Sequence, residues 1–175
     1  MEKVAYEIRT FGDPVLKSRA TPVKGFDESL EHLAEDMMRV MREAEGVGLA
    51  ANQIGRLKRI FVALHDNEQY ALVNPVIEER SKTTEKDTEG CLSIPETRVE
   101  VERPTSVTVS GQDPSGKPIR VEAEGLLARI FQHEIDHLDG VLILDRTDRE
   151  SRKNAMREMR ERMLDRRQLH PPRGP

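Results

Sequence analysis

The run His133-Glu134-Ile135-Asp136-His137 holds two imidazoles and a carboxylate at a spacing that suits metal chemistry. On a helix, positions i and i+4 share one face a turn apart, so both rings can reach one cation. Glu134 borders that face and can reach a water held by the same ion. Metal-assisted hydrolysis needs a third protein ligand and one open position. Downstream, Glu158 has a residue type that H-E-x-x-H peptidases use, but no further signature surrounds it. Upstream stands the sole cysteine, Cys91, in Glu89-Gly90-Cys91-Leu92-Ser93-Ile94-Pro95, where glycine and proline predict an irregular loop. A thiolate with two imidazoles suits a borderline-soft divalent ion. Taken alone, a single cysteine reads equally well as a small buried hydrophobe.

A third segment, Gly46-Val47-Gly48-Leu49-Ala50-Ala51-Asn52-Gln53, fits the G-x-G-x-x-A pattern of dinucleotide sites. That fingerprint requires a preceding strand, and here a helix precedes it. No Gly-Lys-Ser/Thr follows, so a phosphate loop is excluded too. The glycines instead let a peptide approach the backbone closely, and Gln53 supplies an amide donor.

The elements that must position these groups are legible in the periodicity. Asp27 to Glu45 predicts an amphipathic helix, with Leu30, Leu33, Ala34, Met37, Met41 and Ala44 on one face and Asp27 as N-cap. Arg59–Leu64 and Tyr70–Val76 predict a hairpin across Asp66-Asn67-Glu68, and Thr105–Ser110 with Pro118–Glu124 a second one. A helix from about Leu126 to Asp139 carries the histidines and is capped by Gly140. Another, from about Asp148 to Gln168, has only the thin stripe Ala155, Met156, Met159 and Met163, and Pro171–Pro175 should fray. The expected fold is α+β: short antiparallel strands around a central helix carrying the H-E-x-x-H run, plus a C-terminal helix.

Three segments in this order and spacing, GVGLAANQ, EGCLSIP and QHEIDH, resemble the motifs of the peptide deformylases. The likeness extends through Gly12-Asp13-Pro14-Val15-Leu16 and Leu72-Val73-Asn74-Pro75, and spans roughly residues 6 to 145. The resemblance implies removal of the formyl group from N-formylmethionyl nascent peptides, with release of formate. It implies Cys91, His133 and His137 as ligands of Fe²⁺, with Zn²⁺, Ni²⁺ or Co²⁺ as substitutes. It implies Glu134 as the proton carrier, with the Gln53 side chain and the Leu92 N–H on the developing oxyanion. Backbone groups of Val47, Gly48 and Gly90 would take the peptide as an added strand. Leu126, Arg129 and Ile130 would line the formylmethionine pocket. Arg129 departs from the apolar residue common at its position, so its stem covers the pocket with its head in water, or it turns away. Glu89 and Arg98 match a pair expected to brace the cysteine loop.

Composition bounds the alternatives. At 175 residues the chain is expected to be one domain, with a catalytic body to about residue 145 and a basic helix and tail beyond it. One cysteine excludes an intramolecular disulfide and fits a reducing compartment. No apolar run reaches the roughly 18 residues of a membrane span. The N-terminus shows no targeting leader, so a cytoplasmic location is expected. The net charge of −4 conceals an asymmetry, since residues 146–175 carry ten basic and five acidic side chains. That balance fits either a solvated helix or an anionic partner, and some deformylases bind ribosomal RNA through a C-terminal helix. Two other functions stay open at this level. One is an H-E-x-x-H metalloendopeptidase using Glu158; the other is a ribosome- or RNA-binding module with a relict metal site.

Overall fold

The computed structural model describes residues 4–169. Its strands are β1 (Gly48–Ala50), β2 (Ile60–His65), β3 (Glu68–Arg80), β4 (Thr84–Cys91), β5 (Ile94–Pro104), β6 (Ser106–Gln112) and β7 (Pro118–Glu124). The helices are α1 (Glu28–Glu43), α2 (Gly125–Leu138), the single turn α3 (Ile143–Arg146) and α4 (Arg149–Leu169). This is the expected α+β fold.

Five strands form an antiparallel sheet in the order β1-β2-β3-β6-β7, while β4 and β5 pair separately. The first hairpin turns at Asp66 and Asn67, both at positive φ, the geometry that matches strand twist in two-residue turns. Four successive residues of β2 are buried because the sheet has a helix on each face. Ile60 and Val62 pack on the α1 side with Met37 and Met41, whereas Phe61 and Ala63 pack on the α2 side with Phe131 and Ile135. Phe61 meets Phe131 edge to face at 5.4 Å, and Tyr70 meets the same ring at 5.2 Å. With few aromatics in the chain, this cluster anchors α2 against the sheet.

Both long core helices have the caps their sequences call for. The Asp27 carboxylate accepts from the Leu30 N–H at 3.2 Å. At the other end of the site helix, Gly140 takes φ +72°, with bonds from its N–H to His137 O and from Val141 N–H to Asp136 O. This is the Schellman arrangement. A Cβ at Gly140 would lie 2.6 Å from the Lys17 carbonyl oxygen, so glycine is needed twice over.

Five elements, β1 among them, depart from the periodicity reading. It predicts neither the β4–β5 hairpin nor α3. On α4 the expected stripe is narrower: Ala155 is buried and Met159 packs beside it, but Met156 and Met163 stay exposed. Ala155 and Met159 rest on Ile94, Val99, Val101 and Leu142–Leu144. The expected fraying of Pro171–Pro175 lies outside the described residues.

Candidate active site

Helix α2 and the turn after β4 meet at the floor of a cleft of about 670 Å³. His133 and His137, one turn apart, bring their Nε2 atoms to 3.1 Å, and Cys91 Sγ lies 3.3 Å from His137 Nε2. Among the described residues, these three are the group whose ligand atoms converge, all within 4.8 Å of one another. Tetrahedral bonds of about 2.0–2.3 Å put ligand atoms roughly 3.3–3.6 Å apart, so the triangle fits a single cation of this kind. Glu158 is not part of it; it sits exposed on α4, facing Arg162 at 3.5 Å.

The two imidazoles titrate in opposite directions. Burial opposes a charge on His133, but contacts with Cys91 and Glu89 outweigh it and raise the pKa to about 10. Burial and the neighbouring His133 push His137 the other way, well below its ordinary value. The Glu89 carboxylate holds His133 Nδ1 at 2.8 Å, the carboxylate–histidine support that fixes a ligand ring and aims its other nitrogen. Despite its burial, Glu89 is held well below the usual carboxylate range by His133 and Arg103.

Glu134 is buried on the same helix, and its Oε2 has no hydrogen-bond partner among the described residues. Burial raises its pKa to about 7. Its Oε1 lies directly over Gly48, where any Cβ would collide with it. The second glycine of the Gly46–Gln53 segment therefore makes room for the carboxylate, a role that close approach of a peptide does not describe. Gln53 is fully buried in the 3₁₀ turn Ala51–Ile54. Its Oε1 accepts from the Ala50 N–H at 3.0 Å, which orients Nε2 toward Ser93 Oγ at 3.1 Å and Cys91 Sγ at 3.7 Å.

Comparison with known proteins decides between the readings left open by the sequence. The model of the polypeptide deformylases matches residues 5–153. The chain belongs to the peptide deformylase family. It is 52% identical over 154 residues to peptide deformylase 1 of Corynebacterium glutamicum, covering 86% of this chain and 91% of that one. The crystal structure of peptide deformylase from Thermotoga maritima superimposes with a TM-score of 0.80 at 50% identity, covering 82% and 97% of the two chains. That from Thermus thermophilus gives a TM-score of 0.86 at 44% identity, covering 92% and 96%. As a deformylase the protein is a metal-dependent hydrolase that removes N-formyl groups from nascent peptides and releases formate. The endopeptidase and relict-site readings find no support.

The walls of the deformylase cleft gather the other expected residues. Val47, Gly48, Gly90, Leu92, Leu126, Arg129 and Ile130 all line it. At the sheet edge, the Val47 carbonyl is taken by the Leu64 N–H at 2.9 Å. In an antiparallel ladder the next residue turns its own N–H and C=O the other way. Gly48, opposite Ala63, thus presents both groups to the open edge.

One expectation needs correction, and one pair of alternatives is decided. Arg98 does not pair with Glu89; its Nη2 donates weakly to the Thr88 carbonyl at 3.4 Å. In the β4–β5 ladder Glu89 faces Val99 and Gly90 faces Arg98, so strand alternation sends Arg98 to the opposite face. Arg103, four residues beyond Val99 on the inward face, takes the carboxylate instead, with both oxygens held at 2.6 and 2.9 Å. Of the two readings of Arg129, the head in water is excluded and the head turned away is what the structure has. Arg129 is buried, with Nη1 on Glu89 Oε2 at 2.7 Å. Asp136 completes this network by bridging Arg103 and Arg146. Sequence reasoning misses Arg103, Asp136 and Ser93. Asp136 lies inside the motif itself, and Arg103 sits in phase with Val99 and Val101.

Proposed function

We propose that Cys91 Sγ and the Nε2 atoms of His133 and His137 hold one divalent cation, natively Fe²⁺, for which Zn²⁺, Ni²⁺ or Co²⁺ can substitute. When bound, the ion supplies Lewis acidity that brings a water within reach of ionisation near neutral pH. Glu134 accepts a proton from that water as its oxygen adds to the formyl carbon. The same carboxyl then delivers the proton to the amine nitrogen as the C–N bond breaks, leaving formate and a free N-terminus. Gln53 Nε2 and the Leu92 N–H are donors for the charge that develops on the formyl oxygen. Gln53 performs this without reorganisation because the Ala50 N–H already fixes its other end. The outward N–H and C=O of Gly48, with Gly90 across the cleft, pair with the peptide as an added strand. Leu126, Arg129 and Ile130 receive the methionine side chain. The exposed Lys153, Arg160 and Arg167 of α4 are a contact for ribosomal phosphates, in keeping with action on nascent chains in the cytoplasm.

The observation that carries this reading is the unpartnered Glu134 oxygen beside a convergent Cys/His/His triangle. The test pairs two variants after anaerobic purification, with metal analysis and an assay of formate release from formyl-Met-Ala-Ser. Glu134→Gln should keep its metal and lose about 10²–10⁴-fold in kcat, the range of general acid–base effects. Cys91→Ala should lose the metal itself. Full metal content in Cys91→Ala, or more than half the wild-type kcat in Glu134→Gln, overturns the assignment. The metal recovered from the unsubstituted protein decides the identity of the ion.

A further inference from the structure

The cleft shares part of its wall with a second cavity. The smaller cavity, about 90 Å³, lies among Glu85, Arg103 and Thr105 and shares Asp87, Leu126 and Arg129 with the cleft wall. Arg129 leaves α2 between the two spaces, and its head makes three hydrogen bonds behind the wall. Nη1 donates to Glu89 Oε2 at 2.7 Å and to the Val101 carbonyl at 2.9 Å, while Nη2 donates to the Glu85 carbonyl at 2.8 Å. Acceptors on β4 and β5 thus hold the guanidinium in one place. Held at three points, the Arg129 side chain is a fixed part of the partition.

We propose that Arg129 determines specificity for the first residue of the substrate: its stem ends the side-chain pocket and its anchored charge keeps cationic side chains out. The inference rests on the reading above in which Leu126, Arg129 and Ile130 line that pocket. Methionine ends in an uncharged methyl group and needs only an apolar wall. A lysine side chain is one heavy atom longer and brings an ammonium against the guanidinium. Removal of the Arg129 side chain has a defined consequence. It opens the way to a carboxylate and two carbonyl oxygens already arranged around a cation, with Arg103 still holding Glu89 in place.

The test measures kcat/KM of the metal-loaded enzyme for formyl-Met-Ala-Ser and formyl-Lys-Ala-Ser. In Arg129→Ala the Lys-to-Met ratio should rise about tenfold or more, the factor a hydrogen bond to a charged group supplies. Arg129→Met, which refills the wall and leaves no room for an ammonium, should keep the ratio within about threefold of the unsubstituted enzyme. If both rates fall together in Arg129→Ala and the ratio is unchanged, Arg129 is only structural and the proposal is overturned. A measurement on the unsubstituted enzyme needs no variant to fold. Formyl-2-aminooctanoyl-Ala-Ser, whose side chain is two methylenes longer, should be at least about tenfold poorer than the formyl-norleucyl peptide, since enzymes reject even one extra methylene on that scale; equal rates would mean that no wall stands there. The underlying reading fails separately. If Leu126→Trp leaves KM for formyl-Met-Ala-Ser unchanged, the methionine side chain sits elsewhere and the proposal falls with it.

Discussion

At the scale of single residues, the site is built from exclusions as much as from contacts. Gly48 is the clearest case. Its backbone is the open edge of the sheet, and its missing Cβ is the space that Glu134 occupies. Gly48→Ala should therefore damage the chemistry and leave the proposed metal ligands alone, because Cys91, His133 and His137 lie on other elements. A misplaced catalytic group costs on the order of 10²-fold in rate. The expected outcome is a kcat lower by at least about tenfold, with wild-type metal content and a thermal midpoint within a few degrees. A variant with normal kcat would mean that Glu134 retreats without loss, and that its position over Gly48 is incidental.

The elements carry a second device, the buried ionic network behind the site. Glu89 on β4, Arg103 on β5 and Asp136 on α2 link three elements through bonds of 2.6–2.9 Å, and His133 is one of the groups they hold. Breaking a buried pair on one side costs about 3–5 kcal/mol because a charge is left without its partner. In Arg103→Met, Glu89 retains Arg129 and Asp136 retains Arg146, so about 3 kcal/mol is expected. At roughly 2–4 °C per kcal/mol for a chain of this size, the midpoint should fall by about 6–12 °C. The pH dependence has a definite sign. Glu89 is depressed in the folded state, so its contribution is fully present above the ordinary carboxylate pKa of about 4.3 and drains away as pH falls below it. The gap between wild type and Arg103→Met should hence be widest near neutrality and shrink below about pH 4. A gap that is constant with pH would show that packing, and not charge, is what Arg103 supplies. This network also explains which elements the sequence hid. The amphipathic helices and the first hairpin were legible because their buried positions are apolar. Strand β4 exposes Thr84 to Thr88 and has no apolar stripe, and β5 places Arg103 where its alternation calls for another Val. Periodicity cannot report a strand whose inward face is a salt bridge. The convergence of His133 and His137 with Glu134 beside them was legible for the opposite reason, since the chemistry proposed for them restricts both type and spacing.

At the scale of the whole molecule, α4 lies against the body near the cleft rather than apart from it. Ala155 and Met159 seal the cluster around Ile94 and Leu144, and Asp136 takes Arg146 as a partner. Further along, Arg162 donates to Thr97 at 3.2 Å and Arg166 pairs with Glu96 at 2.7 Å, and both acceptors line the cleft. Two truncations should then behave differently. Ending the chain after Asp145 removes Arg146, Ala155 and Met159 together, so the expected product has exposed core surface and a lowered midpoint. Ending it after Met159 keeps the packed first turns and removes the distal arginines. That shorter helix should leave kcat on formyl-Met-Ala-Ser within about twofold, since no reacting group is touched, while KM rises modestly as Glu96 and Thr97 lose their tethers. Ribosome binding separates the remaining possibilities. Contacts to phosphates release counterions, so co-sedimentation of the full chain with ribosomes should weaken steeply between about 50 and 200 mM salt. The chain ending at Met159 should bind less tightly at low salt and with a shallower salt slope, having lost Arg160, Arg162, Arg166, Arg167 and Arg173. Equal affinity and equal slope in the folded truncation would leave α4 as a brace for the cleft wall, with its arginines serving Thr97 and Glu96 rather than RNA.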